Sequence, residues 1–228
     1  MVTMETRIRL TVSAYAEDAL VYSRATADYS AFPGLIQTVE AFMSRAKPDS
    51  TVLDLGCGGG RDARLLAANG HVVTAIDLCE PLLQSWAGSP VAGIHPVVAD
   101  IRNLPLRDCS IDAALAIGSL VHLNQVELRV ALADALRVLT PGGQIVITIP
   151  RCPRSGWTAA GPIRGKRWFS DASAEQVMEV LGGVGFRDLS VATSGPSWLA
   201  VLAKRPESEI TQRGRPAAIS RDKPRVPP

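Results

Sequence analysis

The clearest chemistry in the sequence sits at Asp54-Leu55-Gly56-Cys57-Gly58-Gly59-Gly60. This stretch follows a short apolar run, Thr51-Val52-Leu53, and leads into the helix-forming residues 61–69. A strand that ends in glycines and enters a helix makes a turn on which a nucleoside or phosphate can lie, because glycine brings no Cβ between backbone and ligand. Two further acids follow at equal sequence steps. Asp77 closes the next apolar run, where a carboxylate can accept hydrogen bonds from ribose hydroxyls. Asp100 follows the third run, where an acid can accept from an adenine amino group while Ile101 covers the ring. The glycine spacing argues against a dinucleotide. Counted from Gly56, G-x-G-x-x-G puts Arg61 where close helix packing wants a small residue. Counted from Gly58 the pattern fits, ending at Ala63, but the turn then starts two residues late. Asp62 in the first helical turn also opposes a pyrophosphate.

The acceptor side of such a site carries weaker signals. His122 lies just past a nearly continuous apolar run, Ile111 to Ile117, at the end of the strand where open α/β sheets hold ligands. Imidazole chemistry suits a general base near neutral pH; the competing role is to shape the pocket or cap the next helix. His71 and His95 fall on strands and read as structural. Tyr15, Tyr22 and Tyr29 recur at heptad spacing, which sets them on one helix face. They serve either as a packing stripe or as an aromatic lid, with Tyr22 and Tyr29 the candidates for cofactor contact. Residues 151–171 hold Arg151, Arg154, Arg164, Lys166, Arg167, Trp157 and Trp168. That set fits either a solvated loop or a clasp for an acceptor with a carboxylate or phosphate and an aromatic part.

These groups need a frame. Residues 1–50 read as a helical cap, with Val39–Arg45 at helical spacing. Strands follow at Thr51–Leu55, His71–Ile76, Ile94–Val98, Ile111–Ile117 and Gln144–Ile149, with helices at 61–69, Glu80–Trp86 and Gln125–Leu139 between them. Residues 151–172 read as irregular. Ser173 with Gln176 forms a capping box for a helix to Leu181. Strands Phe186–Ala192 and Ser197–Ala203 are joined by a turn too short for a crossover, so they pair antiparallel. The expected fold is α/β: an open, doubly wound, seven-stranded sheet, mostly parallel, with an antiparallel C-terminal hairpin strand. The expected organisation is a cap at 1–50, a Rossmann-like domain at 51–203 and a disordered Arg/Pro-rich tail at 204–228. No internal repeat is found.

Composition narrows the setting. The chain has 228 residues, 46% of them hydrophobic, and a formal net charge of +2. The basic excess lies in the tail, so the folded part gives no electrostatic case for nucleic acid or a membrane surface. Cys57, Cys79, Cys109 and Cys152 form no CxxC pair and no zinc spacing, and read as reduced thiols. No signal peptide or membrane-length apolar run is seen. A cytoplasmic protein, monomer or homodimer, is expected, with no metal.

The stretch Val52-Leu53-Asp54-Leu55-Gly56-Cys57-Gly58-Gly59-Gly60-Arg61-Asp62 resembles the first motif of class I S-adenosylmethionine-dependent methyltransferases. Ala75-Ile76-Asp77-Leu78 resembles the second and Val98-Ala99-Asp100-Ile101 the third. Leu139-Thr140-Pro141-Gly142-Gly143 is similar to the family's turn before its fifth strand. The resemblance spans residues 51–203 and implies S-adenosyl-L-methionine as cofactor, with a small-molecule acceptor methylated on O or N. It implies cofactor contacts at Asp54, Gly56, Gly58, Asp77, Leu78, Asp100, Ile101 and Ile117, with Arg61 reaching the cofactor carboxylate or staying solvated. The run after the fourth strand lacks the Asn/Asp-Pro-Pro-aromatic motif of base amino-methylation, the Pro-Cys of pyrimidine carbon methylation, and a Mg²⁺-binding carboxylate. Two alternatives stand: the same fold used for a cyclase-like reaction or as a binding module, and, more distantly, an NAD(P)-dependent oxidoreductase.

Overall fold

Alternation explains the central sheet. In β1 (Thr51–Leu55), Val52 faces one layer and Leu53 the other; both are fully buried, as a strand covered on both sides requires. The computed structural model describes residues 3–87, 91–153 and 155–207. Along these run three N-terminal helices, α1 (Met4–Glu17), α2 (Ala19–Ala25) and α3 (Leu35–Met43), followed by β1. Then come α4 (Arg61–Ala68), β2 (Val72–Asp77), α5 (Glu80–Ala87), β3 (Ile94–Val98) and β4 (Ile111–Ile117). A 3₁₀ turn (Leu120–His122), α6 (Gln125–Val138) and β5 (Leu139–Pro150) complete the parallel part. The chain ends with β6 (Gly156–Thr158), β7 (Arg167–Phe169), α7 (Ala174–Val184), β8 (Arg187–Ser194) and β9 (Trp198–Lys204).

Seven strands form one sheet in the order β3-β2-β1-β4-β5-β9-β8. β9 runs antiparallel to both neighbours, and the other pairings are parallel, as expected from the sequence. One face packs Leu53, Ala114, Ile145 and Ile147 against Leu128 and Leu132 of α6 and Val177 and Leu181 of α7. The other packs Val52, Leu115 and Val146 against Phe42 of α3, Leu66 of α4 and Leu83 of α5. Burying each large aliphatic side chain stabilises by roughly 1.5–3 kcal/mol before ordering costs. After β3 the chain crosses to the far side of β1 to lay down β4. The crevice between the carboxyl ends of β1 and β4 is therefore the switch point at which open α/β sheets bind ligands.

Local signals hold well. Ser173 caps α7 with the full capping box, and Asn124 with Glu127 does the same for α6. Three expectations need correction. Residues 151–172 are not wholly irregular: β6 and β7 pair antiparallel, opposing Trp157 to Trp168. The tyrosine heptad does not lie on one helix, because Asp18 breaks the run between α1 and α2 and α2 ends at Ala25. The Asp18 carboxylate is instead held by the backbone N–H and Nε of Arg164 at 2.8 and 2.9 Å. Finally, Arg205, expected in the tail, donates from Nη1 to the carbonyls of Leu136, Arg137 and Leu139 and so caps the end of α6. The rest of the expected tail, 208–228, lies outside the described residues, as does Arg154. Among the described residues no helix is long and apolar enough to cross a membrane.

Candidate functional site

At the switch point lies a cavity whose empty space, counted together with the solvent at its open mouth, is about 880 Å³. It gathers Tyr22, Gly56, Gly58, Asp77, Leu78, Asp100, Ile101, Ile117 and His122 from the sequence-derived set. Asp54, Tyr29 and Arg61 do not line it.

The glycine loop fits its place closely. Gly56 has φ +74°, and a Cβ there would stand 2.4 Å from Ser119 Cβ. The Gly58 N–H donates to Asp77 Oδ2 at 2.9 Å, and the Cys79 N–H donates to Oδ1 at 2.8 Å. Asp77 is thus oriented by backbone donors, while burial pushes its carboxyl above the ordinary range. Trp86 of α5, which sequence reasoning passed over, ties down the loop through Nε1–H donation to the Gly58 carbonyl at 2.9 Å.

Asp100 is gripped by Arg102, whose Nε and backbone N–H both donate to Oδ1 at 2.9 Å. Burial works upward on Asp100, but these hydrogen bonds outweigh it and hold the carboxyl below its usual range. Arg102 Nη1 lies 3.5 Å from Glu127 Oε1, and Glu127 Oε2 pairs with Arg7 of α1. A chain of alternating charges therefore runs from the N-terminal helix to the edge of the cavity.

Asp54 lies behind the loop, 1% exposed, with Oδ2 unpartnered among the described residues. Burial, with Asp62 beside it, pushes its carboxyl well above the carboxylate range. Arg61 turns away from the cavity. Its Nη2 and Nε donate to Asp62 at 2.9 and 3.1 Å, and its guanidinium lies 4.4 and 5.1 Å from the rings of Tyr29 and Phe32. Tyr29 donates to Asp62 Oδ1 at 2.5 Å. The acid at the next position captures Arg61, for which the sequence left a cofactor contact or a solvated side chain open, and these four residues pack the N-terminal segment onto α4.

The opposite wall comes from α1, α2 and the 3₁₀ turn. Tyr15 and Tyr22 meet edge to face at 5.1 Å. Tyr15 Oη lies 3.0 Å from His122 Nε2, and Arg167 Nη1 donates to Tyr15 Oη at 2.9 Å. His122 Nδ1 bonds the Trp168 carbonyl, which can only accept. The imidazole is therefore the Nδ1–H tautomer, and Nε2 accepts the Tyr15 proton. His122 keeps some surface toward the cavity but is enclosed by protein. Burial first, then the charges of Arg167 and Arg7, lowers its pKa to about 4. Tyr15 was visible in sequence as one of three tyrosines, but nothing local distinguished it. Arg7, Ile8, Thr11 and Val12 of α1 line the same wall without any motif.

The depressed His122 pKa has a stability consequence. Between the ordinary value near 6.5 and about 4, the unfolded chain binds a proton that the folded protein refuses. Stability therefore rises with pH across this window and is lost as pH falls through it, at up to about 1.4 kcal/mol per unit from this group. Urea unfolding from pH 4.5 to 7 should give a steeper slope for the wild type than for His122→Phe. Equal slopes would show that the imidazole is not buried neutral.

Comparisons with known proteins agree with this geometry. The family described as "Methyltransferase domain" matches residues 53–147. A malonyl-[acyl-carrier protein] O-methyltransferase of Pseudescherichia vulneris is 35% identical over 184 residues, covering 76% of this chain and 72% of that protein. A probable tRNA methyltransferase 9B of Mus musculus is 38% identical over 113 residues, covering 49% of this chain; this chain spans only 24% of its length. Among solved structures, the DhpI–SAH complex superposes with a TM-score of 0.73 at 20% identity, covering 90% of this chain and 100% of that one. At that identity the likeness speaks for the fold.

Proposed function

The chain belongs to the class I S-adenosylmethionine-dependent methyltransferases, and from that membership we propose that it transfers a methyl group from the cofactor to an oxygen of a small-molecule acceptor. The observation that carries this reading is the two-sided cavity. One side is a glycine loop with oriented acids, and the other is a wall of aromatic and apolar side chains from α1 and α2. Oxygen as the reacting atom rests on the names of relatives such as the P. vulneris enzyme.

The residues present fit the cofactor. Gly56 and Gly58 keep the backbone open, and Asp77, fixed by two backbone donors, retains lone pairs for ribose hydroxyls. Leu78 and Ile101 offer apolar flanks for a purine, and Asp100 an acceptor at its edge. When bound, the cofactor supplies a methyl group already activated on a sulfonium. The protein's part is then alignment and exclusion of water. Tyr22 and Tyr15 close the cavity from the N-terminal side. His122, its Nε2 committed to Tyr15, holds that hydroxyl in place, and the general-base role becomes secondary to this one.

Titration calorimetry should give a micromolar or tighter Kd for S-adenosylhomocysteine and no binding of NADH or NADPH. The reverse pattern sinks the reading. Incubation with methyl-labelled cofactor and a metabolite extract then separates methyl transfer from a cyclase-like or binding role, which would leave every product unlabelled.

A further inference from the structure

Arg102 belongs to no motif, yet it occupies most of Asp100, and both line the cavity. An ionised carboxylate offers four acceptor positions. Arg102 brings three N–H groups to them. Its backbone N–H donates to Oδ1 at 2.9 Å, and its Nη2 donates to Oδ2 at 2.5 Å. Its Nε–H is shared between Oδ1 at 2.9 Å and Oδ2 at 3.1 Å. One acceptor position is left. The two side chains are 20% and 28% exposed, and an ion pair so placed holds its geometry poorly when it stands alone. This one is backed. Arg102 Nη1 lies 3.5 Å from Oε1 of the buried Glu127, which is itself held by the Asn124 N–H at 2.8 Å and by Arg7. The fork is therefore fixed from behind as well as in front.

We propose that Arg102 is a positioning residue for the cofactor: it holds the one free acceptor position of Asp100 toward the 6-amino group of the purine, and so sets a preference for adenine over the 6-oxo purine hypoxanthine. This rests on the methyltransferase reading above, which supplies the cofactor. A 6-amino group brings an N–H to the free position and makes a charge-assisted hydrogen bond. A 6-oxo group brings lone pairs against an anion that Arg102 keeps from turning away. A site built to accept from one group rejects the analogue that cannot donate there. Without Arg102 the carboxylate can rotate, and burial is left unopposed to raise its carboxyl. A protonated Asp100 can donate to a 6-oxo group, so the preference should then fade as pH falls. The charged groups around Asp100 are Arg102 on its own turn, Glu127 of α6 and Arg7 of α1 behind the guanidinium, and Asp77 at the end of the neighbouring β2. His122, with its pKa at about 4, stays neutral above pH 5. Burial raises the Asp77 carboxyl as well, but in wild type and variant alike. The difference between the two proteins therefore reports Asp100.

The test uses the full chain and two ligands, S-adenosylhomocysteine and its deaminated form S-inosylhomocysteine. Calorimetry on the wild type at pH 7.5 comes first. Binding of neither ligand would sink the methyltransferase reading rather than this one. The wild type should bind the adenosyl ligand at least about tenfold tighter, and that ratio should hold from pH 7.5 to 5. In Arg102→Met the ratio should fall several-fold at pH 7.5 and further by pH 5. A merely structural role would weaken both ligands together and leave the ratio as it was. Binding of the inosyl ligand as tight as that of the adenosyl ligand in the wild type, or an unchanged ratio in Arg102→Met at both pH values, would overturn the proposal. Should Arg102→Met fail to fold, Arg102→Lys decides, since it keeps the cation but not the fork. The ratio should still fall there, and an unchanged ratio would overturn the proposal equally.

Discussion

Glu127→Ala should destabilise the protein by about 3–5 kcal/mol, the range seen when one partner of a buried ion pair is removed. Glu127 is 2% exposed and serves three groups at once. Its Oε2 accepts from the Asn124 N–H at 2.8 Å and pairs with Arg7, and its Oε1 lies 3.5 Å from Arg102 Nη1. Truncation removes half of the α6 capping box and leaves Arg7, itself 7% exposed, without a carboxylate. Glu127→Gln should fall between, since an amide can still complete the capping box but carries no charge. Replacing the pair together, as Arg7→Met with Glu127→Leu, should recover much of the loss, because apolar groups of similar volume need no counter-charge. Urea unfolding at pH 7 measures all three. A Glu127→Ala protein within about 1 kcal/mol of wild type would show that the network contributes little. The effect should also reach the cavity, because α1 brings Ile8, Thr11, Val12 and Tyr15 to its wall and Arg7 anchors that helix.

The frame was readable because its signals are local. β1, β3 and β4 match their apolar runs residue for residue, and the Ser173 capping box marks where α7 begins. The half of the cavity proposed to hold the cofactor was equally accessible, since Gly56, Gly58, Asp77 and Asp100 each lie at or within three residues of the end of a strand. What stayed hidden depends on partners remote in sequence. Arg7 and Glu127 meet across the fold with no shared motif. Arg167 looked like one of several loop arginines until β6 and β7 paired and turned it inward beneath Tyr15. The tyrosine heptad misled for a physical reason: a regular spacing specifies one face only if the helix is continuous, and Arg164 holds Asp18 at the break. For Arg61 the sequence left a cofactor contact and a solvated side chain open, and it could not show that the neighbouring acid holds the guanidinium at contact distance.

Gly56→Ala should weaken S-adenosylhomocysteine binding by on the order of 100-fold or more, against roughly tenfold for Gly58→Ala. Both glycines have positive φ, +74° and +51°, so either substitution strains the backbone by about 1–3 kcal/mol. They differ in what the new methyl group meets. At Gly58 the nearest atom is Tyr22 Cε1 at 3.5 Å, an ordinary contact. At Gly56 it is Ser119 Cβ at 2.4 Å, and Ser119 has little room to retreat because its hydroxyl donates to the Leu55 carbonyl at 2.5 Å. The loop itself is pinned, with the N–H groups of Gly56 and Cys57 both donating to the Ile76 carbonyl at 2.8 and 2.9 Å. Relief must therefore come from parting the ends of β1 and β4, the two strands between which the cavity opens. Calorimetry on both variants, with thermal unfolding as the control for folding, measures the ratio. Equal losses would mean that backbone strain alone governs the loop. The predicted gap requires that the separation of β1 and β4 sets how well the cofactor is held.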